Sequence, residues 1–183
     1  REMLLGDWTV GRDIARPFIG ESAETFQRTA NRHDYSLDPV CKTMLDYIAE
    51  AGQTVYGVGK INDIFNGKGI TRTVRTKSNE DGMAKTLDAL SEDFGGLVFI
   101  NLVDFDMLYG HRNNPQGYKE ALEAVDRWIP ELLAALGDED LLIITADHGC
   151  DPTTESTDHS REYIPLLVHG KAVTPHDLGI RTA

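Results

Sequence analysis

A chain of 183 residues with 40% hydrophobic and 26% charged side chains has the composition of an ordinary globular protein with one sizeable core. Its formal charge of -12 repels nucleic-acid phosphates and anionic membranes, so neither is expected as a partner, and an anionic ligand would need a local basic pocket. Apolar runs fall far short of the roughly 20 residues of a spanning helix, and the two cysteines, Cys41 and Cys150, are too few for a disulfide framework.

No charged leader precedes an apolar segment, and the chain is read as a cytoplasmic monomer with both thiols free. It starts at Arg1 without an initiator methionine and stops at "GIRTA". These ends predict a piece of a longer polypeptide.

Residues 1–38 show no regular rhythm and hold Arg1, Arg12, Arg16, Arg28 and Arg32, two of them in "GRDIARPF". A boundary is expected near residues 34 to 39. From Pro39, "PVCKTMLDYIAEAG" places Val40, Met44, Leu45, Tyr47 and Ile48 at helical spacing, with Gly52 as the stop. "TVYGVG" reads as a strand, and "NEDGMAKTLDALSEDFGG" as a helix with Met83, Leu87 and Leu90 inward. "LVFINLVDF" is a nearly continuous apolar strand of the kind covered on both faces. A third helix runs from about Pro115 to Leu136 with Leu122, Val125, Ile129, Leu132 and Leu133 inward, and "DLLIITAD" and "YIPLLVHG" are further strands. This alternation predicts an α/β fold with a mostly parallel sheet flanked by helices. Ligands of such sheets bind beyond the carboxyl ends of the strands.

Chemistry-bearing residues gather at those ends. "FINLVDFDMLYGH" closes on Asp104, Asp106 and His111, while "LLIITADHG" closes on Asp147 and His148, with His159 following in "STDHSREY". Neighbouring strand residues point to opposite faces, so Asp147 and His148 share a site only if the backbone turns there, and Gly149 is expected to give that freedom. Carboxylates mixed with imidazoles, without thiolate, suit Mn²⁺, Zn²⁺ or Fe²⁺. A two-ion site about 3.5–4 Å across with about four ligands per ion needs more donors than Asp106, His111, Asp147, His148 and His159 supply. The deficit is about one carboxylate and one bridging group.

Asp104 is read as a supporting residue behind the ligands, Asp151 and Asp158 as loop residues, and His33, His169 and His176 as having no convergent partner. Cys150 is left out as too soft a donor. Neither "YGVGKIND" nor "NGKGITRT" completes a nucleotide-binding fingerprint, although Lys60 follows a strand and is within reach of the shared crevice as a point charge for phosphate.

At "NLVDFDMLYGH", "TADHGCDPTT" and "TDHSREYIPLLV" the sequence resembles the phosphopentomutases of the alkaline phosphatase and cofactor-independent phosphoglycerate mutase superfamily, and "GRDIARPFIGE", "NRHDYSL", "GKINDIF" and "RTKSNEDGM" extend the likeness. The resemblance implies an alkaline phosphatase-like core, 39–183, preceded by the end of an inserted substrate-binding cap, 1–38. It implies two Mn²⁺ ions, with Zn²⁺, Mg²⁺ or another divalent ion as alternatives; Asp147 and His148 bind one, and Asp106, His111 and His159 the other. It further implies a threonine nucleophile and another aspartate outside this chain, and a sugar phosphate held by Arg12 and Arg28. The reaction implied interconverts ribose 1-phosphate and ribose 5-phosphate, or the deoxyribose equivalents, through a phosphothreonine and a bisphosphate. Without the nucleophile, the chain alone is expected to be inactive. The rival readings are a phosphatase, phosphodiesterase or phosphoglycerate mutase on the same metal core, and a non-catalytic metal-binding module.

Overall fold

A computed structural model describes residues 10–29 and 33–181. Arg1 and Arg32, singled out in the sequence, lie outside them. The chain forms two compact units, Arg1–Leu102 and Val103–Ala183. This division by packing falls elsewhere than the boundary expected at residues 34 to 39.

In the first unit, β1 (Arg12–Ala15) pairs antiparallel with β4 (His33–Ser36), and β2 (Phe18–Ile19) with β3 (Gln27–Arg28). After these small ribbons comes a three-stranded parallel sheet, in which β5 (Thr54–Val58) lies between β6 (Arg72–Val74) and β7 (Gly96–Ile100). The helices are α1 (Met44–Glu50), α2 (Ile61–Ile64) and α3 (Asn79–Leu90). Leu45, Val55, Val58, Ile61, Met83 and Ala89 form the buried core between helices and sheet. The α/β class expected from the sequence is therefore the one observed.

The helix expected from Pro39 starts later, at Met44, because Thr43 and Asp46 close a capping box. The Thr43 N–H and hydroxyl donate to Asp46 Oδ2 at 2.7 and 2.9 Å. Its inward face is Leu45 and Ile48, while Val40, Met44 and Tyr47 are exposed. On α3 the buried stripe runs through Asn79, Gly82, Met83, Thr86 and Ala89, rotated from the expected Met83, Leu87 and Leu90. Gly82 lets β7's continuation pack close, since a Cβ there would sit 3.2 Å from Leu102 Cδ2.

β7 is shorter than its apolar run. It ends at Ile100, and Asp104 and Asp106 lie not on the strand but in the turns that follow. Apolarity signals burial and does not distinguish strand from buried turn.

In the second unit, a π-helical turn (Phe105–Tyr109) runs into a 3₁₀ turn (Gly110–Arg112) and then α4 (Pro115–Ala135). Asn114 caps α4 by accepting from the Gly117 N–H at 3.0 Å. Leu132 is buried, whereas Leu122 is exposed despite its place in the expected stripe. β8 (Leu142–Thr145) and β9 (Leu166–His169), two expected strands, pair antiparallel as a two-stranded ribbon within this unit. Among the described residues, no helix is long and apolar enough to cross a membrane.

Candidate metal centre

Two consecutive tight turns put Asp106 and His111 side by side. The π-helical turn carries the carboxylate, the 3₁₀ turn the imidazole, and His111 Nε2 stands 3.2 Å from Asp106 Oδ1. His159 Nε2 faces the same oxygen, also at 3.2 Å.

The other donors arrive from β8. The chain bends at Asp147 and His148, and Asp147 Oδ1 lies 3.7 Å from His148 Nε2, while Asp147 is exposed and is not among the donors that gather at Asp106. Gly149, expected to free the backbone to turn, follows directly. It is not among the positive-φ glycines. Instead it is buried, and a Cβ would meet Ser160 O and Glu162 N at 2.6 Å. Gly149 forms a β-bridge with Ser160, whose N–H donates to Gly149 O at 3.3 Å, and the Asp151 N–H donates to Ser160 Oγ at 2.8 Å. The loop between them is thereby closed at its base, which returns His159 to His148. Their rings stack with centroids 3.6 Å apart, and the His111 and His159 centroids are 5.0 Å apart.

Second partners fix the ring orientations. His111 Nδ1 donates to Thr157 O at 2.5 Å and His148 Nδ1 to Gly149 O at 3.1 Å, which leaves each Nε2 lone pair turned toward the cluster. Asp106, His148 and His159 each offer a donor atom within 4.8 Å of the others, close to the spread of ligands with bonds of about 2 Å to one ion.

Asp106 Oδ1 is buried and has no hydrogen-bond donor. Converging lone pairs and an unpaired buried carboxylate oxygen repel one another unless a cation lies between them. The donor set therefore fits a divalent metal, with one carboxylate and imidazoles favouring zinc or a harder first-row ion.

The remaining candidates separate clearly. Asp104 is buried, just ahead of the π-helical turn. Asp151 builds the loop: the Thr153 hydroxyl and N–H both donate to its Oδ1, and they hold its carboxyl below the ordinary aspartate value. Asp158 is exposed, and its N–H donates to Ser156 Oγ at 3.0 Å. His169 lies in β9, His33 in β4, and His176 Nδ1 pairs with Thr174 O. Burial, then Asp106 and Asp151, pushes the Cys150 thiol up. Arg12 (β1), Arg28 (β3) and Lys60 (ahead of α2) belong to the first unit. Sequence reasoning did not single out Thr157 or Asn113, because backbone carbonyl acceptors and their partners carry no side-chain signature.

An α/β protein in which carboxylate and imidazole donors close on one another has the donor set of a metal-binding protein. Residues 29–182 match the Metalloenzyme superfamily, and the chain belongs to that family. The chain is 60% identical to a phosphopentomutase of Clostridium kluyveri, over 99% of this chain and 46% of that protein. It is 61% identical to one of Carboxydothermus hydrogenoformans, over 94% of this chain and 44% of that protein. With one of Desulfitobacterium hafniense the identity is 59%, over 100% and 47%. The chain thus spans about half the length of the curated relatives it matches. Among solved structures, the PH0037 protein of Pyrococcus horikoshii superposes with a TM-score of 0.61 at 20% identity, over 81% of this chain and 46% of that one, a likeness of fold.

Proposed function

We propose that this chain is the metal-binding portion of a phosphopentomutase, which interconverts ribose 1-phosphate and ribose 5-phosphate or their deoxyribose equivalents. The observation that carries this reading is the closing of His111 and His159 on Asp106 Oδ1, with His148 stacked on His159, in a chain 60% identical to a protein of that name. Residues 1–38 are read as the end of a substrate-binding cap and 39–183 as returning core.

Two divalent ions, manganese in the favoured assignment, would lower the pKa of an attacking hydroxyl and neutralise charge on the transferring phosphoryl group. Asp106 with His111 and His159 would hold one, and Asp147 with His148 the other. The 3.2 Å approaches of His111 and His159 to Asp106 Oδ1 support the first set, whereas His148 also lies close to Asp106 and His159 and takes its place in the second set from the resemblance. The near contact of His148 with His159 suits ions about 3.5–4 Å apart.

Arg12 and Arg28 would grip the distal phosphate through paired N–H donors, and Lys60 would add a point charge. The threonine nucleophile and a further aspartate would come from the part of the relatives that this chain does not span. The protein is taken to be a cytoplasmic monomer.

A longer polypeptide of the relatives' length, assayed with ribose 1-phosphate against an aryl phosphate, tests the reading. Manganese-dependent isomerisation is expected, and aryl phosphate hydrolysis without isomerisation would sink it. The 183-residue chain should bind metal weakly and show no mutase turnover; robust turnover would overthrow the ligand count.

A further inference from the structure

We infer that Asn113 is a positioning residue of the metal centre, setting the path of the loop that returns His159 to Asp106 while contributing no ligand atom. The inference rests on the metal-centre reading above. Asn113 ends the 3₁₀ turn that carries His111, with its backbone left-handed at φ 46° and ψ 48°. Asparagine is among the few residues with a β-carbon that enter this region readily. From there its Nδ2 donates to the Thr154 carbonyl at 2.8 Å, while His111 Nδ1 donates to the Thr157 carbonyl at 2.5 Å.

One turn thus grips the 151–159 loop at two carbonyls, and the grips differ in kind. His111 is itself a metal donor, and Asn113 is not. The Thr154 peptide is a sound anchor, because its hydroxyl reaches both Asp151 O and Ser156 O at 3.1 Å. The base of the loop is pinned separately by the Gly149–Ser160 bridge and the Asp151 N–H to Ser160 Oγ bond. Between these anchors the Ser156, Thr157, Asp158 and His159 residues are exposed. Release at Thr154 would leave their path to a contact made by a ligand, so that metal binding would have to order the loop and would weaken accordingly.

Two variants separate the amide from the backbone. Asn113→Gly keeps the left-handed turn and deletes the donor, whereas Asn113→Asp keeps the shape and sets a carboxylate against the Thr154 carbonyl. Co²⁺ titration of the chain, followed by visible absorption, is compared with amide hydrogen exchange across 151–160 in the metal-free chain. Both variants should bind Co²⁺ about 10–100-fold more weakly, with a changed absorption spectrum at saturation and faster loop exchange, Asp being the worse. A purely structural role would lower the melting temperature and leave the Co²⁺ spectrum and midpoint unmoved, which would overturn the proposal. If the parent chain gives no Co²⁺ absorption, the metal-centre reading fails by itself. The loop then still decides: unchanged exchange in Asn113→Gly overturns the tie, and faster exchange upholds it.

Discussion

His148 and His159 stack their imidazoles with centroids 3.6 Å apart and planes 15° from parallel, although one leaves β8 and the other closes the loop beyond it. The stack holds both rings beside Asp106, so that candidate donor atoms from separate parts of the chain are brought together.

Ligand replacement should therefore cost more than loss of an outer partner. Asp106→Asn and His159→Ala are each expected to weaken Mn²⁺ or Zn²⁺ binding by more than the about 10–100-fold typical of outer-partner changes. Calorimetric titration of the chain measures this. Binding within threefold of the parent would remove these residues from the ligand set.

Metal should also stabilise the fold that binds it. At a free ion concentration about 100 times Kd, the chain should gain about 2.7 kcal/mol, seen as a higher thermal midpoint that chelator reverses. An unchanged midpoint at saturating Mn²⁺ and Zn²⁺ would speak against a site that requires the folded state.

Gly110 and Cys150 form a coupled pair. A Cβ on Gly110 would press into Cys150 Sγ, while the backbone there, at φ -62° and ψ -65°, accepts any residue. Gly110→Ala should cost about 1–3 kcal/mol through overpacking. Denaturant melts of the double variant Gly110→Ala/Cys150→Ala should recover part of that loss, and strict additivity would contradict the contact.

The thiols should react unequally. Cys41 is exposed, whereas burial and nearby carboxylates push the Cys150 thiol up. Iodoacetamide at mildly alkaline pH should label Cys41 first, as read by peptide mass spectrometry. Equal rates would mean that Cys150 is more open than its packing indicates.

Asp81 ties the start of α3. Lys85 donates to its carboxylate at 2.7 Å and the Lys77 N–H at 2.8 Å, and these bonds, the Lys85 one foremost, hold its pKa below the ordinary value. A depressed carboxyl contributes stability that is complete above the unfolded-state value and is lost as pH falls through the folded value. Asp81→Asn should accordingly flatten the acid limb of the stability curve and leave its slope near neutrality unchanged. Ser78→Ala, which removes the cap accepting from the Asp81 N–H at 3.2 Å, should cost about 1 kcal/mol at any pH.

The sequence by itself determined the α/β class and the type of the longer elements, and it pointed to the Asp and His residues that stand as candidate metal donors, while the short ribbons β1–β4 and the turns after β7 went unread. Helical spacing, apolar runs and the Asp/His content of two segments are local properties, fixed by side-chain chemistry over a few positions. It misplaced the start of α1 and the inward faces of α1 and α3, because capping bonds and packing partners choose among nearly equivalent stripes.

Only the tertiary structure decided how Asp106, His111, His148 and His159 meet. It turned the end of the β7 run into a π-helical turn, and it set Gly149 where a β-carbon would meet Ser160 O and Glu162 N. It also tied a hydroxyl-rich loop back through carbonyls at Thr154 and Thr157. The reason is physical: backbone acceptors are the same at every residue, so which of them receives a given side chain is settled by the path of the folded chain.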